Sequence, residues 1–149
     1  MQIPGTVRDI LQNKPPRVCS ITPDALVYDA IQQMAEKNVG AILVMHGPAL
    51  CGILSERDYT RKVVLKGKSS RETLVKDIMT ASPLVASPHD SVEGCLQRMT
   101  QHRVRHLPVM EDERVLGVVS IGDLVKCVIS VQNSAISQLE NYIAGGITA

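Results

Sequence analysis

A chain of 149 residues with 44% hydrophobic and 21% charged residues has the composition of an ordinary globular protein, which excludes the disordered and fibrous classes and leaves one compact unit or two halves sharing a core. Sixteen Lys+Arg against 15 Asp+Glu, a formal net charge of +1 and 2% aromatics argue against nucleic acid as the partner, which needs a basic footprint and stacking rings. Apolar runs such as Ala41-Ile42-Leu43-Val44-Met45 fall far short of the ~20 residues that span a bilayer, and Met1-Gln2-Ile3-Pro4-Gly5-Thr6 lacks the pattern of a secretory leader, so a cytoplasmic protein is expected.

In chain order, Val7-Arg8-Asp9-Ile10 comes first, and then Val27, Ala30, Ile31 and Met34 recur at i, i+3, i+4, i+7, predicting a helix with one buried stripe. Ala41 to Met45 reads as a strand, Gly47-Pro48 as a turn and Gly52-Ile53-Leu54 as a second strand running into Ser55 and a helix. Lys66-Gly67-Lys68-Ser69-Ser70-Arg71 is polar and reads as an exposed linker. The pattern then returns: Val75-Lys76-Asp77-Ile78, a helix carrying Val92, Cys95, Leu96 and Met99, a strand Leu107 to Met110, the turn Glu111-Asp112-Glu113, and Gly117-Val118-Val119 running into Ser120. Ile136, Leu139 and Ile143 keep a helical stripe that Gly145-Gly146 is expected to stop. That tail could cap its own core or pack on a second subunit, since an apolar stripe does not say what covers it.

The return is a duplication. A shift of 65 positions pairs Pro23 with Pro88, Gln32 with Gln97, Met34 with Met99, Val44-Met45 with Val109-Met110, Gly52 with Gly117, Ser55 with Ser120 and Asp58 with Asp123, without a gap from Thr22 to Val64. The expected fold class is α/β (α+β), two tandem β-α-β-β-α repeats with small sheets covered by helices. The first repeat with its N-terminal segment takes residues 1–65, the linker 66–73, the second repeat 74–130 and a helical tail 131–149.

Cys19, Cys51, Cys95 and Cys127 are scattered, with no CxxC and no His at zinc-finger spacing, so free thiols are expected and no metal. His46, His89, His102 and His106 form no nucleophile motif, and neither GxGxxG nor GxxxxGK[ST] is present, so no catalytic residues are assigned and no enzyme is expected. The sharpest local feature is the pair Gly52-Ile-Leu-Ser55-Glu-Arg-Asp58 and Gly117-Val-Val-Ser120-Ile-Gly-Asp123. Ser-x-x-Asp at a helix start is a reciprocal cap, and the same hydroxyl and carboxylate could hold a ribose.

A tandem repeat closed twice by this motif, with Val75-Lys76-Asp77-Ile78-Met79-Thr80 and Arg103-Val-Arg-His-Leu-Pro-Val109, resembles the CBS-domain pair, or Bateman module, of the small stand-alone bacterial and organellar type. The resemblance covers about Val7 to Ile129. It implies two repeats facing each other across a pseudo-two-fold axis, with two clefts that hold adenosine ligands such as AMP, ADP, ATP, NAD or S-adenosylmethionine. Carried over by position, it assigns Ser120, Gly122 and Asp123 to a ribose, Arg57, Arg105 and His106 to phosphate, and Ser20, Ile21, Val39 and Gly40 to adenine. Ser55, Asp58 and Arg103 mark a second, weaker site, because Gly40-Ala41 stands where the other repeat has Arg105-His106. Arg is suited to phosphate by its planar fork of donors.

These residues lead to a regulatory, non-catalytic module that senses an adenosine nucleotide, AMP first and NAD or ATP next. The alternative is a ligand-independent dimerisation or scaffold module in which the Ser-x-x-Asp motifs are only caps. A homodimer acting on a further protein is expected, with no nucleic acid or membrane partner.

Overall fold

The computed structural model describes residues 5–15 and 17–148, with the backbone alone from 145 onward. Met1-Gln2-Ile3-Pro4, on which the leader reading rests, lies outside the described residues. The first half runs α1 (Val7–Gln12), β1 (Ser20–Ile21), α2 (Val27–Lys37), β2 (Ala41–His46), β3 (Ala49–Ser55) and α3 (Glu56–Tyr59), which continues as a π-helical turn over Thr60–Val64. The second half runs α4 (Val75–Ile78), β4 (Thr80–Ala81), α5 (Val92–His102), β5 (His106–Glu111), β6 (Arg114–Ser120) and α6 (Ile121–Thr148). Both repeats are therefore present. The second copy's opening strand is reduced to one parallel bridge, Ala86 to Val109.

The two hairpins share a register, Leu43 opposite Ile53 and Val44 opposite Gly52 in one, Pro108 opposite Val118 and Val109 opposite Gly117 in the other. Each is kinked at the same place, between Val44 and Met45 and between Val109 and Met110. Helices α2 and α5 both end on a residue in the left-handed region, Asn38 and Arg103 at φ 54°, after which Val39 N–H donates to Met34 O and Val104 N–H to Met99 O at 3.0 Å. This close turns the chain sharply from helix into strand.

Three cores hold the molecule. One gathers Val27, Ala30, Met34, Ile42, Val44, Leu54 and Val63, and it also takes Val75 and Ile78 from the second repeat's opening helix α4. A second gathers Ala86, Val92, Cys95, Met99, Leu107, Val109, Val119 and Leu124 with Val7 and Ile10 of α1. Each opening helix thus packs on the other repeat, and each buried Val or Ile contributes about 1.5–3 kcal/mol there. The third core lies between the sheets, where Ala41, Leu43 and Ile53 meet Val115 and Val118.

The exchange is also written in hydrogen bonds. Val75 N–H donates to Ala25 O and Lys76 N–H to Pro23 O, while Val7 N–H donates to Asp90 O and Arg8 N–H to Pro88 O. Strand β4 then pairs with β3, Gly52 opposite Ala81. The segment read as an exposed linker is largely exposed but docked at its end: Tyr28 N–H donates to Ser70 O, Val27 N–H to Thr73 O, Thr73 is buried and the Arg71 guanidinium lies 4.3 Å from the Tyr28 ring centre. All four cysteines are free, with Cys95 buried. Gly145-Gly146 does not end the last helix, which runs on to Thr148. Two glycines within a turn of a helix cost only about 1 kcal/mol each, too little to break it.

Candidate functional site

The two Ser-x-x-Asp motifs fold as reciprocal caps. Asp58 N–H donates to Ser55 Oγ at 3.1 Å while Ser55 N–H donates to Asp58 Oδ2 at 3.0 Å. Asp123 N–H donates to Ser120 Oγ at 3.1 Å and Ser120 N–H to Asp123 Oδ2 at 2.8 Å. Each helix start is moored to its own hairpin, Glu56 N–H to Gly40 O at 3.0 Å and Ile121 N–H to Arg105 O at 2.9 Å. Gly40 and Arg105, equivalent in the repeat, therefore each anchor a helix start, and both line one cavity.

One cleft is open. A cavity of about 880 Å³ lies between the repeats, walled by Ser55, Glu56, Arg57, Asp58, Arg61 and Lys62 from the first and by Thr80, Pro83, Leu84 and the run His102 to His106 from the second, with Gly40 and Ile53 at its base. Its walls carry five fixed cations, Arg57, Arg61, Lys62, Arg103 and Arg105, against two carboxylates, Glu56 and Asp58. A chain whose net charge is +1 has concentrated its positive charge here, and low-dielectric walls focus such a field.

The cations differ in freedom. Arg57 Nη1 donates to Arg103 O at 3.0 Å, which stitches the two repeats across the mouth. Lys62 Nζ stands 3.1 Å from Asp58 Oδ1 and donates to Ile78 O at 2.9 Å. Among the described residues, Arg61, Arg103 and Arg105 make no ion pair. Burial holds the His106 imidazole below its ordinary value, Asp123 acting against this and Lys14 and Arg105 adding to it.

At the equivalent carboxylate of the second repeat a lysine is also paired, Asp123 keeping 18% of its side chain exposed against 14% for Asp58. Lys14 Nζ lies 2.7 Å from Asp123 Oδ2 and donates to Val118 O at 2.8 Å. Burial pulls the Asp123 carboxyl upward, but Lys14 and the Ser120 N–H overcome it and hold it below the ordinary carboxylate value.

The sequence reading joined Arg57, Arg105 and His106 to Asp123; the cavity joins them to Ser55, Asp58 and Arg103. Of the adenine candidates, Gly40 lines the cavity, where a Cβ would stand 3.4 Å from His106 Cε1. Ser20, Ile21 and Val39 do not line it, nor do Ser120, Gly122 and Asp123. Sequence reasoning missed Lys14, Arg61, Lys62, Thr80, Pro83 and Leu84. Arg61 and Lys62 could have been found, since they fall one helical turn after Asp58. The others arrive through the exchange of opening segments, which leaves no local signal. Among the described residues, no group of three or more His, Cys, Asp or Glu is placed to hold a metal ion, and no helix is long and apolar enough to cross a membrane.

Comparison with known proteins agrees with this architecture. The CBS-domain family profile matches residues 7–65 and 75–130. The chain is 42% identical over 130 residues to the CBS domain-containing protein CBSX3, mitochondrial, of Arabidopsis thaliana, a match covering 84% of this chain and 63% of that one, so the chain spans less than two thirds of that relative's length. A solved protein with CBS domains from Burkholderia ambifaria MC40-6 superposes with a TM-score of 0.82 at 48% identity, over 85% of this chain and 95% of that one. The CBS domain pair of protein MJ0100 superposes with a TM-score of 0.72 at 23% identity, over 82% and 94% of the two chains, a likeness of fold alone.

Proposed function

We propose, for a chain that belongs to the CBS-domain family of regulatory modules, that it senses a phosphorylated adenosine nucleotide in the open cleft and catalyses no reaction itself. The observation that carries this reading is the cleft's composition: five cations and His106 drawn from both repeats around a capped carboxylate. Asp58 accepts the ribose hydroxyls, Arg103, Arg105 and Arg61 hold phosphate, and Pro83, Leu84 and Ile53 offer an apolar wall to adenine. The MJ0100 pair was solved in complex with 5'-methylthioadenosine and S-adenosyl-L-methionine. The charge here favours a ligand with phosphate over either of those: AMP, ADP, ATP or NAD. Asp123 with Ser120 and Gly122 is taken as the second, weaker half-site, its carboxylate paired with Lys14, which reverses the order expected from sequence.

Because the ligand touches both repeats, its binding biases their mutual angle by whatever differential affinity it has for the two arrangements. The angle is read by a second copy of the chain or by a further protein, in the cytoplasm or in an organelle that holds free nucleotides.

A thermal-shift screen of ligand-free protein with AMP, ADP, ATP, NAD⁺, adenosine and S-adenosylmethionine tests the reading. A phosphorylated ligand at 100 times its Kd adds about 2.7 kcal/mol, a rise of several degrees for a chain of this size. We expect that rise with at least one phosphorylated compound and less with adenosine. No rise with any of them at millimolar concentration defeats the nucleotide reading and leaves a ligand-independent scaffold.

A further inference from the structure

Helix α6 leaves its own core after about two turns. Leu124 is buried, Cys127 and Val128 pack on the second core, and from there to Thr148 the helix projects, its 28 residues spanning about 42 Å. Val125 and, on the projecting part, Ile129, Ile136, Leu139 and Ile143 are all large, apolar and exposed, Leu139 at 61%. With Gln132 they are spaced 4, 3, 4, 3, 4, the seam of a coiled coil with Gln132 as its one polar layer. At 3.6 residues per turn this seam is turned by roughly 110° from the stripe that faces the core, so a second helix can lie on it without displacing the core.

The seam fits one occupant. A helix of period 3.5 is complemented by another of the same period, and the charges flanking this seam choose the direction. Lys126 and Glu140 occupy equivalent flanking positions two heptads apart. In a parallel pair neither meets an opposite charge, since the residues across the seam are Val128, Ala135 and Tyr142. In an antiparallel pair centred near Ser134, Val125 meets Ile143 of the second copy, Ile129 meets Leu139 and Gln132 meets Ile136. Lys126 then stands beside the second copy's Glu140, twice by symmetry, Ala135 crosses its own counterpart at the two-fold axis, and the helix dipoles oppose. We propose that α6 is the homodimerisation element of this protein, pairing antiparallel with α6 of a second copy. This deepens the association reading above and is independent of the nucleotide, so its failure leaves the cleft assignment standing.

The test is the mass of full-length, nucleotide-free protein by sedimentation, over a range of concentrations, for the wild type, Ile136→Asp, Lys126→Glu, Glu140→Lys and the double exchange. Every substitution is at an exposed site, and circular dichroism checks that each variant is folded. The expected result is a dimer whose dissociation constant rises more than a hundredfold in Ile136→Asp, rises about five- to tenfold in each single charge reversal and returns towards wild type in K126E/E140K. A monomeric wild type, which would leave the seam to a different protein, overturns the proposal. So does a dimer indifferent to Ile136→Asp, which would place the interface elsewhere, or charge reversals that do not rescue each other, which would exclude the antiparallel register.

Discussion

Arg103 sits in the left-handed region with φ 54°, a conformation that costs an L-residue about 1–2 kcal/mol relative to its ordinary wells. At the equivalent place in the first repeat the chain uses Asn38, a residue that tolerates this conformation, whereas here a long cation is kept at the mouth of the cleft. Arg103→Gly separates the two demands. Relief of the strained backbone is offset by about 0.5–1 kcal/mol of added freedom in the unfolded chain, so urea denaturation should find the variant as stable as the wild type or slightly more so. Loss of a charge-assisted contact should weaken nucleotide binding about tenfold. A destabilisation above about 1 kcal/mol, or unchanged affinity, would contradict the role given to this residue. Lys14 shows a different arrangement, a cation paired with a carboxylate, as Lys62 is with Asp58.

Among the elements, the exchanged opening segments decide which residues can share a cleft. They also explain the glycine that begins each Gly-h-h-Ser motif. A Cβ on Gly52 would stand 2.6 Å from the Thr80 carbonyl oxygen and 2.9 Å from Met79 Sδ, so Gly52→Ala must move backbone of β3 or β4. A Cβ on Gly117 would meet Leu11 Cδ2 at 2.9 Å, the far end of a flexible side chain. Chemical denaturation should therefore give Gly52→Ala a loss of about 1–3 kcal/mol and Gly117→Ala clearly less; the reverse order would mean that the crossing of β4 over Gly52 is not as tight as described. The duplication, the hairpins, the caps and the helix stripes were legible in the sequence because they are local and periodic. Arg57, Arg105 and His106 were legible as a phosphate-facing set, and Arg103 as a companion of Ser55 and Asp58, but not that the two groups share one cleft. That sharing depends on α4 and β4 crossing to the first repeat, a contact set by the packing of Val75 and Ile78 rather than by spacing. The length of α6 was underread because a glycine pair signals a stop only when nothing else favours continuing.

At the scale of the whole molecule, two halves that share one hairpin register have become unequal. One cleft gathers cations from both repeats, while at the equivalent carboxylate, Asp123, the ion pair is with Lys14. The proposed function then calls for a single effective nucleotide site per chain, with the ligand bridging the repeats that Arg57 and the Arg103 carbonyl already join. Calorimetric titration of ligand-free protein with the nucleotide that stabilises it most, on wild type, Asp58→Ala and Asp123→Ala, tests this most directly. The account predicts one nucleotide per chain, binding lost in Asp58→Ala and retained within a few-fold in Asp123→Ala, with each variant folded and destabilised by no more than the ~0.5–2 kcal/mol of a lost cap. Binding that survives Asp58→Ala and disappears in Asp123→Ala would contradict it, and would assign the ligand to the side that holds Lys14 and Asp123.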